Sequence, residues 1–341
     1  MTKGEFIRDL YLFAKERPEY IRFGQFIFNY IEETYGVARD VQFIDKVDCF
    51  YVDENVDKFI DCAYKRIFSY LTIEALEDGL TAILDMTDDN EPIEYCIDEG
   101  EWITLKSGEK TQPINKGQKL SFKGERKPSK YNDNNIGRFT ISKKCNLKGN
   151  CMSLLFGDNA NKHTSLEGYT SVFSYLFAWC YKIVEIEANF LPATTLADKC
   201  YHSMFQGCTS LVNAPDLPST TLAKYCYSYM FEGCTSLVNA PELPATTLAK
   251  YCYEYMFMRC TSLVTAPELP ATTLANGCYY EMFKYCSKLN NITMLATDIS
   301  ASNCLTYWVS GVALTGTLIK SPSMDNILYL IPEKWTIQDY K

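Results

Sequence analysis

Fifteen cysteines and two histidines are the side chains from which this sequence would have to build thiol, metal or acid–base chemistry. Ten of the cysteines recur in register: Cys200/Cys208, Cys226/Cys234, Cys252/Cys260, Cys278/Cys286, Cys304 and, more loosely, Cys180. Thiols repeated in this way suggest either a disulfide framework or a ladder of metal ligands. Their spacings are C-x7-C and C-x17-C, whereas zinc sites use C-x2-C. Both members of each pair fall on an apolar stripe with Leu and Met, where a free cysteine behaves as a small hydrophobe. They are read as buried structural thiols, and neither a metal nor a cofactor is expected.

Acid–base candidates are few. His163 lies in a polar stretch. His202 occupies a repeat position held by Ser228, Glu254 and Tyr280 in other copies, so no repeated chemistry depends on it. No glycine-rich phosphate loop and no G-x-S-x-G elbow is present. Asp53-x-Asn55-x-Asp57 opens like a calcium loop, but Lys58 stands where the loop needs Gly and Tyr64 where it needs a bidentate Glu. That segment is read instead as the N-terminal cap of a helix. The run Asp88-Asp89-Asn90-Glu91 reads as a solvated loop. Trp102 reads as core, with sugar stacking as the alternative. The expectation is a non-enzymatic chain.

The elements that position these residues are organised by a repeat. Leu191 to Met294 is four copies of one 26-residue unit, beginning LPATTLADKCYHSMFQGCTSLVNAPD, with twelve positions identical in type throughout. Such a period marks a solenoid, whose units bury their apolar faces only by stacking. Leu196, Cys200, Met204 and Cys208 follow four apart, with Ala197, Tyr201 and Phe205 in the next row, which predicts a short helix capped by Thr195. TSLVNAP then predicts a parallel strand, with Leu211, Leu237, Leu263 and Leu289 as one buried row. The invariant positions are buried, so specificity falls to the variable ones. Two of these, four apart on one helical face, hold Lys199/Ser203, Tyr225/Tyr229, Tyr251/Tyr255 and Gly277/Glu281. Stacking would gather Tyr225, Tyr229, Tyr251 and Tyr255 into the candidate ligand-binding patch, suited to a sugar or a protein hot spot. The alternative is a plain solvated face.

The rest of the chain divides by period. Residues 1–68 predict a small helical module over Phe6–Ala14, Ile21–Tyr35 and Asp57–Phe68. Residues 69–150 alternate apolar and polar in YLTIEAL, LTAILD, IEYCID, EWITL, KLSFKGE and GRFTIS, which predicts an antiparallel β-sandwich. Residues 151–341 are the solenoid, with a degenerate first turn over 151–190, an exit coil through Trp308-Val309, and closing strands in GTLIK and WTIQ. The fold class is thus multidomain α+β.

The wording CYxxMFxGCTSLV, repeated through LPATTLA…CY…MF…GCTSL, resembles the BspA-type leucine-rich repeat of gut Bacteroidales bacteria and their crAss-like phages, over about residues 150–312. IEYCIDEGEWITL resembles the β-domain that precedes such repeats, and residues 1–68 resemble, loosely, small helical domains of phage-encoded proteins. The resemblance implies recognition of host surfaces or other proteins, and no catalysis.

Charge and hydropathy narrow the setting. The net charge is −9 with no Lys/Arg stripe, which argues against nucleic acid or an anionic membrane. The first residues do not read as a signal peptide, and no apolar run is long enough to span a bilayer. Synthesis in a cytoplasm with reduced thiols is expected. The favoured role is a phage virion structural or accessory protein whose repeats contact a host-surface glycan or protein, or another virion protein. Homo-oligomerisation is left open. The alternatives are an intracellular protein that modulates a host protein, and a bacterial surface adhesin.

Overall fold

The computed structural model describes residues 1–87, 92–128, 134–324, 327 and 330–341. Asp88-Asp89-Asn90-Glu91 and the middle of the polar stretch 126–135 lie outside the described residues.

The N-terminal module has four helices, α1 (Lys3–Ala14), α2 (Phe23–Tyr35), α3 (Ala38–Phe43) and α4 (Val56–Ile67). The short α3 was not expected. Thr2 caps α1 in a capping box with Glu5, which satisfies two backbone donors at once. Phe6, Leu10, Ile27, Phe28, Ile31, Phe59, Ile60 and Ala63 form a core of their own. Phe6, Leu10 and Ala14, four apart, set the buried face of α1, while Leu12 is 52% exposed and Phe13 lies at the rim, its ring against Phe26 and Tyr30 of α2. The cap expected of Asp53 also works elsewhere. Its carboxylate accepts the Gly24 N–H at the start of α2 (3.1 Å), while α4 has no side-chain cap. Gly24 allows this approach, since a Cβ there would meet the Cys49 carbonyl oxygen at 2.0 Å.

All six strands expected in residues 69–150 form: β1 (Leu71–Ala75), β2 (Ala82–Met86), β3 (Ile93–Ile97), β4 (Ile103–Leu105), β5 (Lys119–Gly124) and β6 (Gly137–Ile141). A seventh, β7 (Cys145–Lys148), joins them. The main sheet runs β4-β3-β5-β1-β7 and ends on β8 (Ile183–Ile186); β2 and β6 pair separately. The sheet is mixed, which corrects the antiparallel expectation: β7 pairs β8 in parallel, with Leu147 opposite Ile186. That edge becomes the first rung of the repeat ladder, which continues as parallel bridges Glu185–Asn213, Asn213–Asn239, Asn239–Thr265 and Thr265–Asn291. One apolar core therefore runs from Leu71 to Trp335 without a break at residue 150. A file of rings marks it: Phe122, Phe139, Phe177, Phe205, Phe231, Phe257 and Phe283, with centroids 5.0 to 5.8 Å apart.

The units stack as coils at the 26-residue register, but the expected helix is absent. Every fourth residue is left-handed: Lys199, Ser203 and Gly207 in one coil, Tyr225, Tyr229 and Gly233 in the next, Tyr251, Tyr255 and Arg259 after that. Each left-handed residue breaks the α-helical path. The backbone donors then alternate. Cys200, His202, Met204 and Gln206 donate back three residues, closing turns. Tyr201, Ser203, Phe205 and Gly207 donate across to Cys226, Ser228, Met230 and Glu232 in the following coil. A helix would have kept all of these bonds within one unit. Here half of them cross between units, so no coil satisfies its backbone alone. TSLVNAP likewise contributes a single bridged residue per coil instead of a strand, and the Pro215 nitrogen that follows has no hydrogen to extend the ladder.

The expected buried rows are present. Leu211, Leu237, Leu263 and Leu289 are fully buried. So are the paired repeat cysteines, and no disulfide forms. The second thiol of each pair donates to a carbonyl of the preceding coil: Cys208 to Phe177, Cys234 to Phe205, Cys260 to Phe231, at 3.1–3.2 Å. The column thus ties coils together by weak hydrogen bonds as well as by packing. At the far end β9 (Asn291–Met294), β10 (Gly316–Lys320) and β11 (Trp335–Asp339) form a three-stranded parallel sheet over the last coil.

Candidate interaction surface

Side chains at the left-handed positions share one flank of the coil stack with those just before them, His202 and Gln206 in the first coil, because the other two residues of every four are the buried Cys-Tyr or Met-Phe pair. The four tyrosines picked from the sequence occupy these positions, with φ between 55° and 58°. Such a conformation costs a residue with a Cβ about 1–2 kcal/mol. It is held by the cross-coil bonds of Tyr225, Tyr229, Tyr251 and Tyr255 to the carbonyls of Lys250, Glu254, Asn276 and Tyr280.

The structure brings the four rings together as two stacks. Tyr225 lies on Tyr251 with centroids 5.0 Å apart and planes 2° from parallel; Tyr229 lies on Tyr255 at 4.3 Å and 17°. The rings are half-buried, and each turns one face to its partner. Gly277 ends the first stack: a Cβ there would fall 2.0 Å from Tyr251 Cε1, so only glycine admits the ring. Trp179 uses Gly207 in the same way, at 2.3 Å.

Beside the stacks is a groove of about 370 Å³, lined among others by Tyr175, Lys199, His202, Tyr225 and Glu254. His202, set aside on sequence grounds, is wedged edge-on between the rings of Tyr175 and Tyr229. Its Nε2 meets the Tyr175 hydroxyl at 3.0 Å, and its Nδ1 is buried without a partner among the described residues. Burial first, and then the Lys199 charge, hold its pKa down at about 4, so the ring is neutral at pH 7. Burial raises the Glu254 carboxyl, although a hydrogen bond from Ser228 (3.0 Å) opposes the shift. Lys199 and Lys224 lie over the Tyr225 ring at 5.9 and 5.0 Å, and Lys250 over Tyr251 at 5.3 Å. The sequence signal for this feature was the run of lysines at adjacent unit positions in successive copies.

Trp102 is not in the sheet core. It packs with the helical module, edge-on to Tyr70 at 4.9 Å, under the Lys123 ammonium, and it borders a cleft of about 430 Å³ between α4 and the sheet. Trp102 immediately precedes β4, the edge strand of the sheet, and its side chain meets the helices. His163 stacks on Phe156 at 3.8 Å. Among the described residues, no group of three or more His, Cys, Asp or Glu is placed to hold a metal, and no helix is long and apolar enough to cross a membrane.

The family model for the BspA type Leucine rich repeat region matches residues 131–263 and 170–304, in six copies, which together cover half of the chain. No curated protein and no solved structure matches the chain.

Proposed function

The chain belongs to the BspA-type leucine-rich-repeat family, and on that premise we propose that it is a non-enzymatic recognition protein whose ligand seats on the tyrosine flank of the coil stack. The observation that carries this reading is the paired stacks Tyr225/Tyr251 and Tyr229/Tyr255 beside a groove with an unpartnered buried nitrogen. Stacked rings present a rigid surface whose ordering is already done, as hot spots require. The repeats of this family suggest a role in protein–protein interaction or adhesion. The finer form of the proposal is a virion structural or accessory protein whose repeats touch the host surface or a neighbouring virion protein, an assignment that draws on the resemblance to phage-borne repeat arrays.

Two measurements test it. Fluorescently labelled full-length chain is titrated onto host cells, with the Tyr225/Tyr229/Tyr251/Tyr255→Ala variant in parallel. Each tyrosine should contribute about 1–2 kcal/mol to binding. Unchanged binding by a folded quadruple variant would remove the ligand from this flank. Mass spectrometry of purified virions decides the finer reading: absence of the chain would leave the intracellular or bacterial-surface role.

A further inference from the structure

We propose that the lysine-flanked tyrosine stack takes an acidic peptide segment of its partner, with Asp or Glu side chains seated against Lys199, Lys224 and Lys250. This inference rests on the recognition reading above and names the ligand of that site.

The chain carries 42 acidic and 33 basic residues, and Lys3, Lys65, Lys106, Lys123, Lys148, Lys284 and Lys320 each have a carboxylate within 4.0 Å. Lys199, Lys224 and Lys250 are exposed and have none among the described residues. They come from three successive coils, and the backbone register sets them around one pair of rings. The negative faces of Tyr225 and Tyr251 hold the ammonium groups in place without neutralising them. Each ammonium keeps its N–H donors for a ligand, and the three charges stand beside two carboxylates, Asp198, which accepts the Lys224 backbone N–H at 3.0 Å, and Glu254.

The groove at the foot of the stack has a neutral wall, where His202 Nε2 meets the Tyr175 hydroxyl at 3.0 Å. The geometry favours a peptide over a saccharide. A sugar is gripped by aromatic residues through an open ring face, and here those faces are closed by the partner ring 5.0 Å away and by the lysines. Carboxylates need only the cations. Glu254, on the same groove, opposes an acidic ligand.

The test uses the full chain and a fluorescein-labelled decapeptide of alternating Glu and Gly, read by fluorescence anisotropy. The expected result is saturable binding that the Gln-for-Glu peptide lacks, and that weakens steeply as salt rises from about 50 to about 300 mM. The Lys199/Lys224/Lys250→Gln variant should lose about 30-fold or more in affinity. Lys106/Lys143/Lys144→Gln, an equal charge change on the sheet domain, should lose little, and Glu254→Gln should bind more tightly. Equal loss in both triple variants, equal binding of the Gln peptide, or binding of oligogalacturonate in place of the peptide would each overturn the inference. If the first triple variant binds host cells as the parent does while the quadruple tyrosine variant does not, the acidic-ligand inference falls and the recognition surface stands.

Discussion

Gly277→Ala is the substitution that most sharply tests how the tyrosine flank is built. Gly277 has φ +61°, and a Cβ there would lie 2.0 and 2.1 Å from Cε1 and Cδ1 of Tyr251. Two costs add. Placing an L side chain in the left-handed region costs about 1–2 kcal/mol. Expelling the Tyr251 ring forfeits its stack on Tyr225, worth about 0.5–1.5 kcal/mol, plus the strain of moving packed neighbours. The sum is about 3 kcal/mol. Gly233 supplies the internal control. Its φ is +73°, yet a Cβ there would meet nothing closer than the Gly207 Cα at 3.8 Å. Gly233→Ala should therefore show the backbone cost alone, about 1–2 kcal/mol. Urea unfolding of both variants, followed by circular dichroism, measures the difference. Adding Tyr251→Ala to Gly277→Ala should remove the steric part, giving a coupling of about 1–2 kcal/mol in the double-mutant cycle. Equal losses for the two glycines, or strictly additive effects in the cycle, would refute the claim that Gly277 exists to admit the ring.

Further expectations concern the core and its titration. Leu237→Ala should cost about 2–5 kcal/mol, because it hollows a row shared by neighbouring coils, whereas deletion of one whole 26-residue unit keeps the register and should be tolerated better; thermal melts compare them. The repeat thiols should resist iodoacetamide at pH 8 in the native protein, since burial pushes Cys226 and Cys286 up to about 12, and rapid labelling would contradict their packing. Cys234→Ser should cost about 1–3 kcal/mol in chemical unfolding by burying a more polar hydroxyl in the sulfur's place. His202 predicts a pH dependence. Its folded pKa of about 4 lies below the ordinary 6.5, so the unfolded chain binds the extra proton between these values. Stability from this residue is complete above pH 6.5 and falls by on the order of 2 kcal/mol as pH drops towards 4; His202→Gln should remove that part of the slope in urea midpoints measured across the range.

Much of this was legible in the chain itself. The 26-residue period, the buried rows of Leu211 and its equivalents, and the inward cysteines follow from apolar residues recurring at fixed spacing, which any stacked repeat must bury. The same spacing was misread locally. Apolar residues four apart suit a helix, but they equally suit a coil with a left-handed residue at every fourth position, and the two differ in where the backbone hydrogen bonds go. Those bonds run from Tyr201 to Cys226 and from Phe205 to Met230, between units, and no local pattern reports them. The one local hint was glycine at Gly207, Gly233 and Gly277 among bulkier equivalents. For the same reason composition could place Tyr225, Tyr229, Tyr251 and Tyr255 on one flank but could not show that each would turn one face to its partner. Nor could it show that Asp53 caps α2 across a gap of 29 residues, or that Trp102 meets the helices. Local spacing determines which side chains are buried together. Only the stacked chain decides which polar groups, ring faces and charges remain unsatisfied at its surface, because their partners come from residues distant in sequence.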